Sequence, residues 1–112
     1  MSLAHDKLLP ATVSSLRVLG DDIVERTASQ GCFFLMGVVP LRAGPGLQFV
    51  LMFSRNLSGN VSARLRTSVA AGRFDEQVWL SPSEALFPKH AQEQLQHYMA
   101  LTELRAADQV NP

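Results

Sequence analysis

Five arginines (Arg42, Arg55, Arg64, Arg66 and Arg73) stand between Arg26 and Asp75 with no acidic residue among them. A guanidinium is permanently charged and forks toward carboxylates and phosphates, so a run of this kind is suited to holding anions. The first 26 residues sum to −1 and the last 38 to −4, so a chain of zero formal charge is assembled from segments of opposite sign. Charge placed this way speaks to association more than to fold. Arg64 and Arg66 are the sharpest pair. On a strand over 61–69 they share a face with Ser62 and Ser68 and form a compact strip facing an anion. On a helix the same two side chains would diverge by about 160° and the strip would dissolve. The plainer use of such cations is pairing with acids of the same chain or a twin, such as Glu93 and Glu103.

Other reactive side chains are fewer. His90, Glu93 and His97 project from one side of a C-terminal helix. The two histidines would lie about 10.5 Å apart along its axis, too far to share a metal ion. Exposed polar residues are the simpler account. Leu104 falls on that same side with Leu101 at its margin, which points to a subunit contact. Cys32 opens an apolar run and reads as a buried thiol, since a nucleophile needs a base and an electropositive setting. Trp79 either anchors an interface or covers the edge of the core. The turn Ser54–Asn60 carries Arg55, Ser58, Gly59 and Asn60, yet matches neither the P-loop nor the dinucleotide pattern. It is expected to be a connecting turn. No serine nucleophile elbow and no paired carboxylates in a cleft are visible, so no catalytic constellation, metal site or cofactor is expected.

Composition bounds the rest. At 112 residues, 46% hydrophobic and 18% charged, the chain fits one domain with a true core. A single cysteine cannot form an internal bridge, which favours a reducing, cytoplasmic setting. The opening MSLAHDKLLPATV has no basic start followed by an apolar run, so no secretory signal is expected. The longest apolar run, Cys32–Leu41, is far short of the roughly 20 residues a membrane span requires. A sequence pI near 6.8 argues against bulk nucleic-acid binding, and no zinc-finger, aromatic RNA-binding or helix-turn-helix motif appears.

The elements that would position these groups follow from periodicity. Val13, Leu16, Leu19, Ile23 and Val24 share one face of an amphipathic helix over 11–28, with Pro10 at its first turn and Gly20 in its middle. Two Phe- and Val-rich runs, 32–41 and 47–54, flank Gly44-Pro45-Gly46 and predict a hairpin. Neither run alternates, so both faces of that hairpin require cover. The segment 61–69 places Val61, Ala63, Leu65 and Val69 on odd positions and is read as a third strand. The four-residue spacing of Val61, Leu65 and Val69 keeps a helix open. Residues 77–80 add a short strand. Ser81-Pro82-Ser83-Glu84 has the form of a capping box, predicting a turn of helix broken near Pro88 and then a longer helix over 88–106. Its buried arc is Ala91, Leu95, Tyr98, Met99 and Leu101.

The expected architecture is α+β: an antiparallel meander of three to four strands with amphipathic N- and C-terminal helices, in one domain spanning 1–112. Two small helices would hardly cover so apolar a hairpin, so a homo-oligomer or a stable protein partner is expected. The functional expectation is a non-enzymatic interaction module, of adaptor, regulator or inhibitor type. It would dock an acidic protein surface through Arg55, Arg64, Arg66 and Arg73, with Trp79, His97 and Leu104 as interface residues. A nucleic-acid-binding regulator using the same arginines on phosphates is the alternative, and a small enzyme gathering His90 or His97 with Cys32 comes third.

Overall fold

The computed structural model describes residues 3–27, 32–42, 44–69 and 73–110. The order is α1 (Leu3–Arg17), β1 (Asp22–Thr27), β2 (Cys32–Val39), β3 (Leu47–Arg55), β4 (Val61–Val69), β5 (Arg73–Ser81) and α2 (Phe87–Val110). The five strands form one antiparallel sheet in the order β1-β2-β3-β4-β5, so every neighbour in the sheet is a neighbour in sequence. The α+β meander with terminal helices is therefore as expected, with one strand more than the three to four predicted.

The additional strand is β1, and it corrects the helix read over 11–28. The helix instead covers 3–17, with Pro10 inside it. There the proline ring withholds one backbone donor. Leu16 ends the buried face of α1, and the Leu19 amide donates to the Leu16 carbonyl (2.9 Å) as the chain leaves the helix. Ile23 then turns into the core while Val24 turns out, 47% exposed. Helical and extended spacings coincide over so short a run. The β-branched Ile23-Val24 pair goes to the sheet because β2 offers it a ladder. Gly37 of β2 makes that ladder possible. It lies opposite Ile23, and a Cβ built on it would stand 2.0 Å from the Asp22 carbonyl oxygen. No side chain fits there.

The segment 61–69 is strand throughout, in register with β3 (Leu51 opposite Leu65) and β5 (Leu65 opposite Gln77). Its burial alternates, with Val61, Ala63, Leu65 and Thr67 inside and Ser62, Arg64 and Arg66 outside. The same alternation holds in the two runs that looked continuous. Phe33, Leu35 and Val39 of β2 and Leu47, Phe49, Leu51 and Phe53 of β3 are buried. Both helices lie on this one face. Leu8, Val13 and Leu16 of α1 and Phe87, Ala91 and Leu95 of α2 complete a single core. The helices are also tied to each other: the Ser15 hydroxyl donates to the Pro88 carbonyl (2.8 Å).

The capping box does not form. Ser81 is the fully buried last residue of β5, and Glu84 faces Arg55 instead of a helix amide. A turn at 84–86 follows, with the Leu86 amide donating to Ser83 Oγ (3.4 Å), and α2 begins at Phe87. Pro88 is thus the second residue of α2, where its missing donor has no consequence.

α2 runs back along β5. A hydrogen bond joins Ser81 Oγ to His90 Nδ1 (3.2 Å) near its start, and Arg105 bridges Asp75 (2.6 Å) near its end. An aromatic column packs beneath it: Phe33 to Phe53 at 5.3 Å between ring centroids, Phe53 to Phe87 at 4.8 Å, and Trp79 stacked on Phe87 at 6.0 Å.

Candidate interaction surface

The sheet face away from the helices carries the even-numbered residues, and its register fixes them in rows. One row crosses the five strands as Asp22, Val38, Gln48, Ser68 and Phe74. The next reads Val24, Met36, Val50, Arg66 and Glu76. The third reads Arg26, Phe34, Met52, Arg64 and Val78. An apolar lane over β2 and β3 is therefore bordered by two arginines on β4 and by a largely apolar β5. The lane forms the floor of a depression of about 500 Å³ with Arg66 and Phe74 on one wall.

Arg64 and Arg66 stand side by side on this face, as the strand reading requires. Both approach the same carboxylate. Glu76 Oε2 lies 3.4 Å from Arg66 Nε and 3.9 Å from Arg64 Nε, and all three side chains are about half exposed. The Arg66 guanidinium also sits 4.9 Å from the centroid of the Phe74 ring. Such a stack steadies the cation while leaving its donors pointing outward. Two cations sharing one acid leave a net positive charge beside the lane. Among the described residues the arginines of this segment pair with Glu76 and Glu84 and not with the Glu93 and Glu103 named from sequence, and Glu103 accepts from the Arg42 backbone amide (2.8 Å).

Arg55 has a different position. It ends β3 and forms a two-pronged ion pair with Glu84, its side chain only 10% exposed. It braces the β5–α2 connection and does not belong to the Arg64–Arg66 strip. Arg73 opens β5, but its side chain lies outside the described residues. The turn after Arg55 is self-contained as well. Asn56 Oδ1 accepts from the Ser58 amide (3.2 Å), the Ser58 hydroxyl (2.8 Å) and the Asn60 amide (3.1 Å), and Gly59 takes a left-handed φ of +86°. Those amides are already engaged, as expected of a connecting turn.

No protein-family model matches the chain, and no curated protein and no solved structure matches it.

The remaining candidates are dispersed. Cys32 is partly exposed, not buried, and lines a shallow hollow with Ser54, Ser62, Arg64 and Val78 on the open face. His90 and His97 belong to α2 on the opposite side of the sheet. The structure therefore does not gather them with Cys32. His90 is half-buried against Ser81, a role the sequence gave no sign of, because residues nine apart meet only through the β5–α2 reversal. His97 and Leu104 are exposed, Leu104 at 64%. Trp79 faces inward at the edge of the core, and its Nε1–H is buried with no acceptor among the described residues. No group of three metal-ligating side chains converges among the described residues, and no helix is long and apolar enough to cross a membrane.

Proposed function

We propose that this protein is a non-enzymatic interaction module that docks an acidic, partly apolar protein segment on the open face of its sheet. The observation that carries the reading is the pairing of Arg64 and Arg66 on one glutamate beside an apolar lane that no described element covers. Exposed apolar surface of this kind, rimmed by polar residues, marks interaction sites. The adjacent cations select the sign of the partner and speed its approach.

Charge complementarity favours an acidic partner over a second copy stacked face to face. With a two-fold axis along β3, β4 would cover β2 and press Arg66 on Met36 and Arg64 on Phe34. With the axis across the strands, Arg64 would face Arg66. Either arrangement desolvates cations without giving them new carboxylates, which is costly. An amphipathic segment with leucines for the lane and glutamates for the arginines meets both requirements.

A synthetic helical peptide with leucines at i, i+3, i+4 and i+7 flanked by glutamates tests this, against a glutamine-matched peptide and a short DNA duplex. The glutamate peptide is expected to shift the amide resonances of Phe34, Met36, Val50 and Met52. Arg66→Glu should weaken it by roughly tenfold, since it replaces an attraction by a repulsion at a partly exposed pair. Equal binding of the glutamine peptide, or shifts confined to the helices, would overturn the reading. Tighter binding of the duplex, with a steep linear log–log salt dependence, would transfer the arginines to phosphate recognition.

A further inference from the structure

We infer that the outer edge of β5 pairs antiparallel with β5 of a second copy, across a two-fold axis at Gln77. β5 is an edge strand of nine residues, as long as the central β3 and β4, and among the described residues no strand pairs with its outer side. Its open-face side chains Phe74, Val78 and Leu80 are 60%, 60% and 57% exposed. Long edges are ordinarily guarded by proline, lysine or unneutralised charge. β5 has no proline or lysine, its one cation Arg73 stands at the very start with its side chain outside the described residues, Asp75 is held by Arg105, and Glu76 is shared by Arg64 and Arg66. The opposite edge shows the contrast: β1 is six residues long and carries Asp22, Glu25 and Arg26 exposed.

The occupant is a second copy because β5 is self-complementary about its own midpoint. Facing residues of an antiparallel pair lie on one side of the sheet, so the axis must pass through a residue. At Gln77 the whole strand overlaps. Phe74 meets Leu80 twice, Glu76 faces Val78, and Gln77 faces Gln77. Moving the axis to Glu76 would oppose two like charges, and moving it to Val78 would set Phe74 against Pro82 beyond the strand's end. On the helix side the Gln77 register sets Trp79 across from Asp75 of the second copy.

The flank of α2 continues this surface. Ser15 of α1 contacts Pro88 and Gln92, so helical geometry turns His90, His97, Leu101 and Leu104 to the other side, above the β5 edge. Exposed Leu104 and half-buried Leu101 would meet their counterparts once the strands pair.

Val78 gives a sign test. It lies opposite Arg64 within the protomer and opposite Glu76 across the axis. Val78→Glu should raise the dimer dissociation constant roughly tenfold through like charges on both sides of the axis, while adding a favourable pair inside each protomer. Val78→Lys should lower it severalfold. Sedimentation equilibrium over a concentration series reads both, with circular dichroism confirming the fold. In a Cys32→Ser background, Gln77→Cys should form an intermolecular disulfide under mild oxidation and Asp75→Cys should not. A monomer throughout the series, equal response to both Val78 variants, or cross-linking through position 75 and not 77 would each overturn the pairing. Met36→Gln on β2 separates this inference from peptide docking: it should weaken the peptide and leave the dimer constant unchanged.

Discussion

Arg55, at the end of β3, is clasped by Glu84, in the turn that launches α2. Two charges 29 residues apart thereby fix the corner where the sheet hands the chain to its last helix. Because the Arg55 side chain is nearly buried, removing the carboxylate would take away a desolvated, two-pronged ion pair. Glu84→Ala is expected to cost about 1–3 kcal/mol, above the usual worth of an exposed pair. Urea unfolding should show it as a lower midpoint with an unchanged slope.

The aromatic column offers a larger effect. Phe87 is fully buried between Phe53 and Trp79. Phe87→Ala is expected to cost about 3–5 kcal/mol, enough to unfold a marginal domain. Trp79 is the sole tryptophan and stacks on that ring, so its emission should move to the red as the column is lost.

Gly37 predicts a localised change. An added methyl would overlap the Asp22 carbonyl, so Gly37→Ala must push β1 from β2. The expected cost is roughly 1–3 kcal/mol, typical of overpacking. Hydrogen exchange should accelerate in 22–27 more than in 61–69.

Ser15 holds α1 to α2 through the Pro88 carbonyl. Ser15→Ala should cost about 1 kcal/mol, the net worth of one such bond. The proton exchange of α1 should rise before that of the central strands.

Much of the architecture was open to reading from sequence because it is written in local pattern. The hairpin flanking Gly44-Pro45-Gly46 and the alternation of Val61, Ala63 and Leu65 depend only on neighbours along the chain. The side-by-side placement of Arg64 and Arg66 follows from that alternation. Residues 19–24 were not legible, since a few apolar positions satisfy both periods and β2 decides between them. The capping box failed for a related reason. Its glutamate found a stronger partner in Arg55, which local sequence does not reveal.

Sequence alone determined the charge segregation and the inventory of groups able to hold an anion, and left 61–69 open between strand and helix until pairing with β3 and β5 decided it. Only the tertiary structure decided which arginine is bound inward and which two remain on the open face, because ion pairing depends on distances that the meander and the return of α2 create. It also decided that both helices cover the same side. The even-numbered apolar residues of β2 and β3 stand on the opposite side, where no described element lies over them.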